Sequence, residues 1–215
     1  MWLQIHRREA GKLSSDTLER FRFGHEVGRQ ATAVIPDGVM VSGEPDMQAA
    51  IERTAKLMRR QPRQAIFEAT FEYEGVLVRV DILEPGEGAY WRAIEVKATR
   101  RVKSYHLADL ATQLWVMQGC GVQISKAIIR HLAQSVRLAS FCGQQVQFVD
   151  ADVSRIIKRY VRTRSAVAAA ARQAVEGAEV VTSTGSQCQK PFACEFMGYC
   201  DALEKLPLLK GVLPI

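Results

Sequence analysis

The feature that most constrains this chain is a change of hydrophobic period in its middle third. In Val76-Leu77-Val78-Arg79-Val80-Asp81-Ile82-Leu83 every second position, from Val76 to Ile82, is apolar, and the charged residues fall between. A matching run, Ala65 to Tyr73, precedes it across Glu74-Gly75, and a third, Tyr90 to Ala98, follows the Pro85-Gly86-Glu87-Gly88 loop. Period 2 broken by Glu-Gly predicts a hairpin with a third strand after it. On either side the period returns to three or four, so neither an all-helical nor an all-β fold accommodates the chain.

The helical stretches are Ser14 to Ile35, a segment after Asp46 that stops near Pro62, Tyr105 to Gln118, and a long run from Asp152 to Val175 that ends before Gly177. Further strands are expected at Val122 to His131 and at Gln145 to Val149. In order these are helices, three strands, a helix, two strands and a helix, which predicts an α/β fold with a mixed β-sheet flanked by helices. With 215 residues, the chain predicts one main domain, residues 1–180, and a cysteine-rich C-terminal tail over 181–215.

Strand alternation also sorts the charged residues. On the second strand Val76, Val78, Val80 and Ile82 form one apolar face, which leaves Asp81 on the less oily one with Leu77, Arg79 and Leu83. On the third, Glu95 and Lys97 share a face, with Ile94 and Val96 opposite. If the two strands are neighbours, Asp81, Glu95 and Lys97 converge. Two carboxylates and a backbone carbonyl suit Mg²⁺ or Mn²⁺, and a lysine beside them can orient an attacking water and help deprotonate it. That is equipment for phosphodiester hydrolysis. An isolated Glu-x-Lys is more often the wet face of an edge strand, so the weight falls on the combination.

The combination resembles the PD-(D/E)XK nuclease superfamily: Asp81 on an apolar strand, Glu95-Val96-Lys97 fourteen residues later, then a helix bearing Gln113. More narrowly it looks like the RecB-like branch, similar to CRISPR-associated RecB-like exonucleases. Gly24-His25-Glu26-Val27-Gly28 on the first helix and the cysteine-rich tail match that branch. The resemblance implies a restriction-endonuclease-like fold in which Asp81, Glu95, the Val96 carbonyl and His25 hold the metal. Lys97 would act on the water nucleophile and the scissile phosphate. Gln113 matches the Gln of the branch's Gln-x-x-x-Tyr motif, with Met117 standing in the Tyr position. His106 and Asp109 share its helical stripe, and such a stripe is usually a helix's wet side. Glu68 is a further acidic candidate on the first strand.

In the tail, Cys188, Cys194 and Cys200 are spaced by five residues twice, looser than structural zinc sites favour. The resemblance implies a 4Fe-4S iron-sulfur cluster whose fourth cysteine lies near the N-terminus. No cysteine precedes Cys120 here. Either the chain starts just past that ligand, or Cys120 or Cys142 substitutes, or the cluster is absent or incomplete.

A net charge of +6 tilts the partner towards a polyanion. Arg100, Arg101 and Lys103 follow the candidate catalytic strand, and Arg155 and Arg159 belong to a basic helical stripe; all five are candidate DNA-binding residues. No apolar run reaches the roughly 18 residues of a membrane span, and the first nine residues carry no signal core. The expectation is a cytoplasmic, metal-dependent deoxyribonuclease, exonucleolytic, acting in repair, recombination or phage and CRISPR defence, with partner proteins in such a complex. The alternative is a non-catalytic nucleic-acid-binding module that keeps the fold and the tail.

Overall fold

The structure, a computed structural model, describes residues 1–134, 146–180, 183–190 and 192–205. Among these, β1 (Val39–Met40), β2 (Ile66–Tyr73), β3 (Val76–Pro85), β4 (Trp91–Lys97), β5 (Ile124–Leu132) and β6 (Phe148–Asp152) form one six-stranded sheet in that spatial order. The β1–β2 and β4–β5 pairs are parallel, and the other neighbours are antiparallel. The expected mixed α/β sheet is therefore present, with the added strand β1. Two residues are too few for alternation to register.

The helices are α1 (Trp2–His6), α2 (Ser15–Ala33), α3 (Met47–Met58), α4 (Ser104–Gly119), α5 (Lys158–Val161), α6 (Arg164–Glu176) and α7 (Met197–Lys205). The chain divides into two compact units, residues 1–20 with 169–215, and residues 21–168. The division falls inside α2 and α6, so the N-terminal residues belong with the cysteine-rich tail.

Within the larger unit each parallel pair is bridged by a helix, because strands running the same way need a long return. The α3 return starts at Asp46, whose Oδ1 accepts from the Ala49 N–H at 2.9 Å. Glu74-Gly75 turns the β2–β3 hairpin with both residues at positive φ, 48° and 72°, as a tight two-residue connection demands. The α4 stripe of Leu107, Leu110, Leu114 and Met117 is buried as expected, against Val78, Val80, Ala93 and Ile129. On the other side of the sheet, Ala31 of α2 packs with Phe67, Ile82, Ile94 and Ile128.

Three readings change. The apolar face proposed for β3 is split, for Val78 and Val80 join the cluster under α4 while Ile82 joins the one with α2. The switch falls at Asp81. The long helix expected over 152–175 is interrupted. Strand β6 runs to Asp152, whose carboxylate takes both the N–H and hydroxyl of Ser154 in a local turn. Between α5 and α6, Thr163 bonds the Tyr160 carbonyl through its N–H and its hydroxyl, tightening the turn. The last strand lies at 148–152, later than the expected 145–149, and residue 145 is outside the described residues.

Because β1 is so short, β2 beyond Phe67 has no strand on that side among the described residues. The buried Thr54 hydroxyl of α3 fills in, accepting from the Thr70 N–H at 2.9 Å and donating to the Ala50 carbonyl. Thr54→Val keeps the shape but strands a buried N–H, and is expected to cost about 1–3 kcal/mol in urea unfolding. An unchanged midpoint would show that water satisfies Thr70.

Candidate functional site

The β2–β3 and β3–β4 ladders are both interrupted where the acidic residues lie. Opposite Asp81, Glu68 adopts a left-handed φ of 56°, and the paired register passes from Phe67↔Ile82 to Ala69↔Val80 without that rung. A glutamate there is backbone strain that the surrounding sheet must enforce. On the other side, β3–β4 pairing stops at Ile82↔Ile94. Asp81 fills the gap, its Oδ2 accepting from the Val96 N–H at 2.6 Å. The contact observed at Asp81 is thus the amide of Val96.

Glu95 and Lys97 share the α4 face of β4, as the alternation requires. Glu95 is only 5% exposed, and both its oxygens are engaged. Oε1 lies 2.6 Å from the Lys97 ammonium, and Oε2 accepts from Gln113 Nε2 at 2.6 Å. Lys97 also donates to the Asp109 carboxylate. So α4 contributes Asp109, Gln113 and, one turn earlier, His106, whose Nδ1 accepts from the Lys103 N–H at 3.2 Å. The wet-side expectation fails for His106, which is buried, and not for Asp109, which is exposed; Gln113, carried as a site candidate, is buried as well. Period could place the three on one line but not say that β4 covers it. Glu68 sits beside Asp81 and pairs with Arg79 at 3.2 Å.

The electrostatics are those of an anionic pair short of positive charge. Burial pushes the Asp81 carboxyl up to about 6 against the Val96 N–H, which favours the ionised form. Burial and then the Asp81 charge push Glu95 up to about 8. Desolvation works against the Lys97 ammonium, but Glu95 and Asp109 outweigh it and hold its pKa above the usual lysine value. Lys97 as held here is a donor and a charge rather than a base. Burial, then the Lys97 and Lys103 charges, lower His106 to about 4, so it is a neutral imidazole.

Asp81 and Glu95 offer hard oxygen donors, and the buried Gln113 Oε1 has no hydrogen-bond partner. An orphaned acceptor and two carboxylates that resist ionisation share one deficiency, which a small dication keeping most of its water would fill. Among the described residues no group of three or more His, Cys, Asp or Glu side chains is gathered at metal-holding geometry. In particular His25, on the exposed side of α2, is not gathered with Asp81 and Glu95.

Of the basic candidates, Arg101 and Lys103 are exposed just after β4, Lys103 lying over the Tyr105 ring, and Arg100 is half-buried. Arg155 and Arg159 are exposed, and Arg159 lies over the Tyr160 ring. The three tail cysteines fall in the smaller unit: Cys188 is buried, Cys200 half-buried and Cys194 exposed, with the Cys194 N–H bonded to the Cys188 carbonyl at 2.7 Å. Burial, followed by Cys194 and Cys188 nearby, raises the Cys200 thiol. Cys120 belongs to the larger unit, where its thiol donates to the Glu72 carbonyl at 3.2 Å. Cys142 lies outside the described residues. No helix among the described residues is long and apolar enough to cross a membrane.

No protein-family model matches the chain. No curated protein matches it either. Among solved structures, the chain is similar to one described as the crystal structure of SSO0001, at 15% identity over 69% of this chain and 70% of that one, with a TM-score of 0.25. At that score the likeness carries no inference about this chain.

Proposed function

We propose that this chain is a Mg²⁺- or Mn²⁺-dependent nuclease of PD-(D/E)XK type that hydrolyses DNA phosphodiester bonds. The observation that carries the reading is the meeting of Asp81, Glu95 and Lys97 at a strained, interrupted part of the sheet, with Gln113 reaching Glu95 from α4. When bound, the dication would be held by Asp81 and Glu95 and would supply charge for the developing phosphorane and acidify a water. The protein's own groups do the rest. Gln113 fixes the Glu95 carboxylate, and the Val96 N–H fixes that of Asp81. Lys97, shared by Glu95 and Asp109, presents an ammonium that can orient the nucleophile and neutralise a phosphate oxygen. Exonucleolytic action, a role in repair or defence, and a cytoplasmic setting belong to the same proposal.

The test is incubation of end-labelled single- and double-stranded DNA with Mg²⁺ or Mn²⁺. Cleavage that disappears in excess EDTA is expected, and undiminished cleavage in EDTA overturns the reading. A second reading, a nucleic-acid-binding module without hydrolysis, rests on the exposed Arg101, Lys103, Arg155 and Arg159, which can grip phosphates without a metal. Binding without cleavage in either metal would select it.

The cysteine tail is proposed as an iron-sulfur site. Cys188, Cys194 and Cys200 fall one short of the usual four thiolates, so protein purified without oxygen is expected to hold less than four irons per chain and to lose them to a chelator. Four chelator-resistant irons would show that another ligand completes the site.

A further inference from the structure

Between the C-terminal half of α4, the start of β5 and the 154–162 segment lies a cleft of about 560 Å³ with no assigned role. Arg155, Lys158 and Arg162 reach it from positions i, i+3 and i+7, and Lys126 enters from β5. Among the described residues no Asp or Glu lines it. None of these four cations belongs to an ion pair among the described residues. Asp152 senses Lys126, but its carboxylate accepts from both the N–H and the hydroxyl of Ser154. The lining is mixed: Leu114 and Ile157 lie buried beneath it, while Ile124 and Val161 are half-buried and keep apolar surface facing it.

Four unneutralised cations around one concavity repel each other, and the arrangement is relieved by a compact polyanion. The apolar part of the lining, chiefly the half-buried Ile124 and Val161, adds a preference for an organic group attached to that anion. We infer that the cleft binds the phosphate monoester of a nucleotide, the base and sugar against Ile124 and Val161 and the phosphate among Lys126, Arg155, Lys158 and Arg162. The phosphate can come from a free nucleotide or from the phosphorylated end of a strand. This goes beyond the proposed hydrolysis, for it requires neither Asp81 nor a metal. It also separates Arg155 from Arg159, whose guanidinium stacks on Tyr160 and does not line the cleft.

The test uses the full chain in EDTA, so that failure of hydrolysis does not bear on it. A nucleoside monophosphate, the parent nucleoside and inorganic phosphate are titrated by calorimetry. Short oligonucleotides with and without a 5′-phosphate are then added as competitors. The monophosphate is expected to bind at least tenfold more tightly than either fragment. Arg155→Glu with Lys158→Glu should weaken it tenfold or more, and Arg159→Glu, an equally charged change on the same segment, should leave it unchanged. Competition by the phosphorylated oligonucleotide alone identifies a strand end as a source, and competition by neither identifies the free nucleotide. Equal binding of nucleoside and monophosphate overturns the inference. So does equal competition by the unphosphorylated strand, or an Arg159→Glu loss as large as that of the pair, since each would mean general attraction to a basic surface.

Discussion

Replacing Lys97 with alanine is expected to lower metal-dependent DNA cleavage by roughly a hundredfold or more, the usual cost of removing one preorganised donor from a developing anion. The side chain ends β4 at the rim of the site, about one-fifth exposed, and touches only carboxylates by hydrogen bond. Its loss leaves Glu95 with the Gln113 amide and free to take a proton, so the fold should survive. Melting measured on the same preparation separates the two effects. Asp81→Ala and Glu95→Ala should cost at least as much in rate. Near-normal turnover in Lys97→Ala would place the chemistry elsewhere in the molecule.

The metal-free protein is expected to lose stability as pH rises from 6.5 to 8.5, and added Mg²⁺ or Mn²⁺ is expected to restore it. Glu95 sits at about 8 in the folded protein against 4.5 ordinarily, so the folded state binds its proton more tightly. Its contribution is complete below about pH 4.5 and is lost as pH climbs through 8. Asp81, raised to about 6, behaves the same way over a lower window. His106 works oppositely, because lowering to about 4 makes its contribution present above 6.5 and lost as pH falls through 4. Lys97, raised above its ordinary 10.5, does not titrate in this range. Between 6.5 and 8.5 the Glu95 effect therefore stands nearly alone. It amounts to at most about 1.4 kcal/mol per pH unit, a fall of several degrees in Tm. Glu95→Gln should flatten the slope and abolish the metal's effect. A metal-free Tm that rises over this interval would contradict the burial argument.

Much of the architecture was legible because period is a local property. Alternation in 66–73, 76–85 and 91–97 and the positive-φ turn at Glu74-Gly75 specified the hairpin and third strand. The stripe of Leu107, Leu110, Leu114 and Met117 specified the buried side of α4, and alternation put Glu95 and Lys97 on one face.

What alternation reports is which side of its own element a residue occupies, never what covers that side. The sheet decided the rest. Glu68 in a left-handed conformation and the missing rung opposite it change the face along β3, which brings Asp81 to the Val96 amide instead of continuing the alternation. Packing of α4 on β4 turned His106 from an expected wet residue into a buried one and set Gln113 against Glu95. The turn after Asp152 interrupted a sequence that reads as one continuous helix, since a side chain bonding its own backbone can end a helix without changing the apolar pattern. The association of residues 1–20 with the cysteine-rich tail joins segments more than 150 residues apart, a separation that no local period encodes.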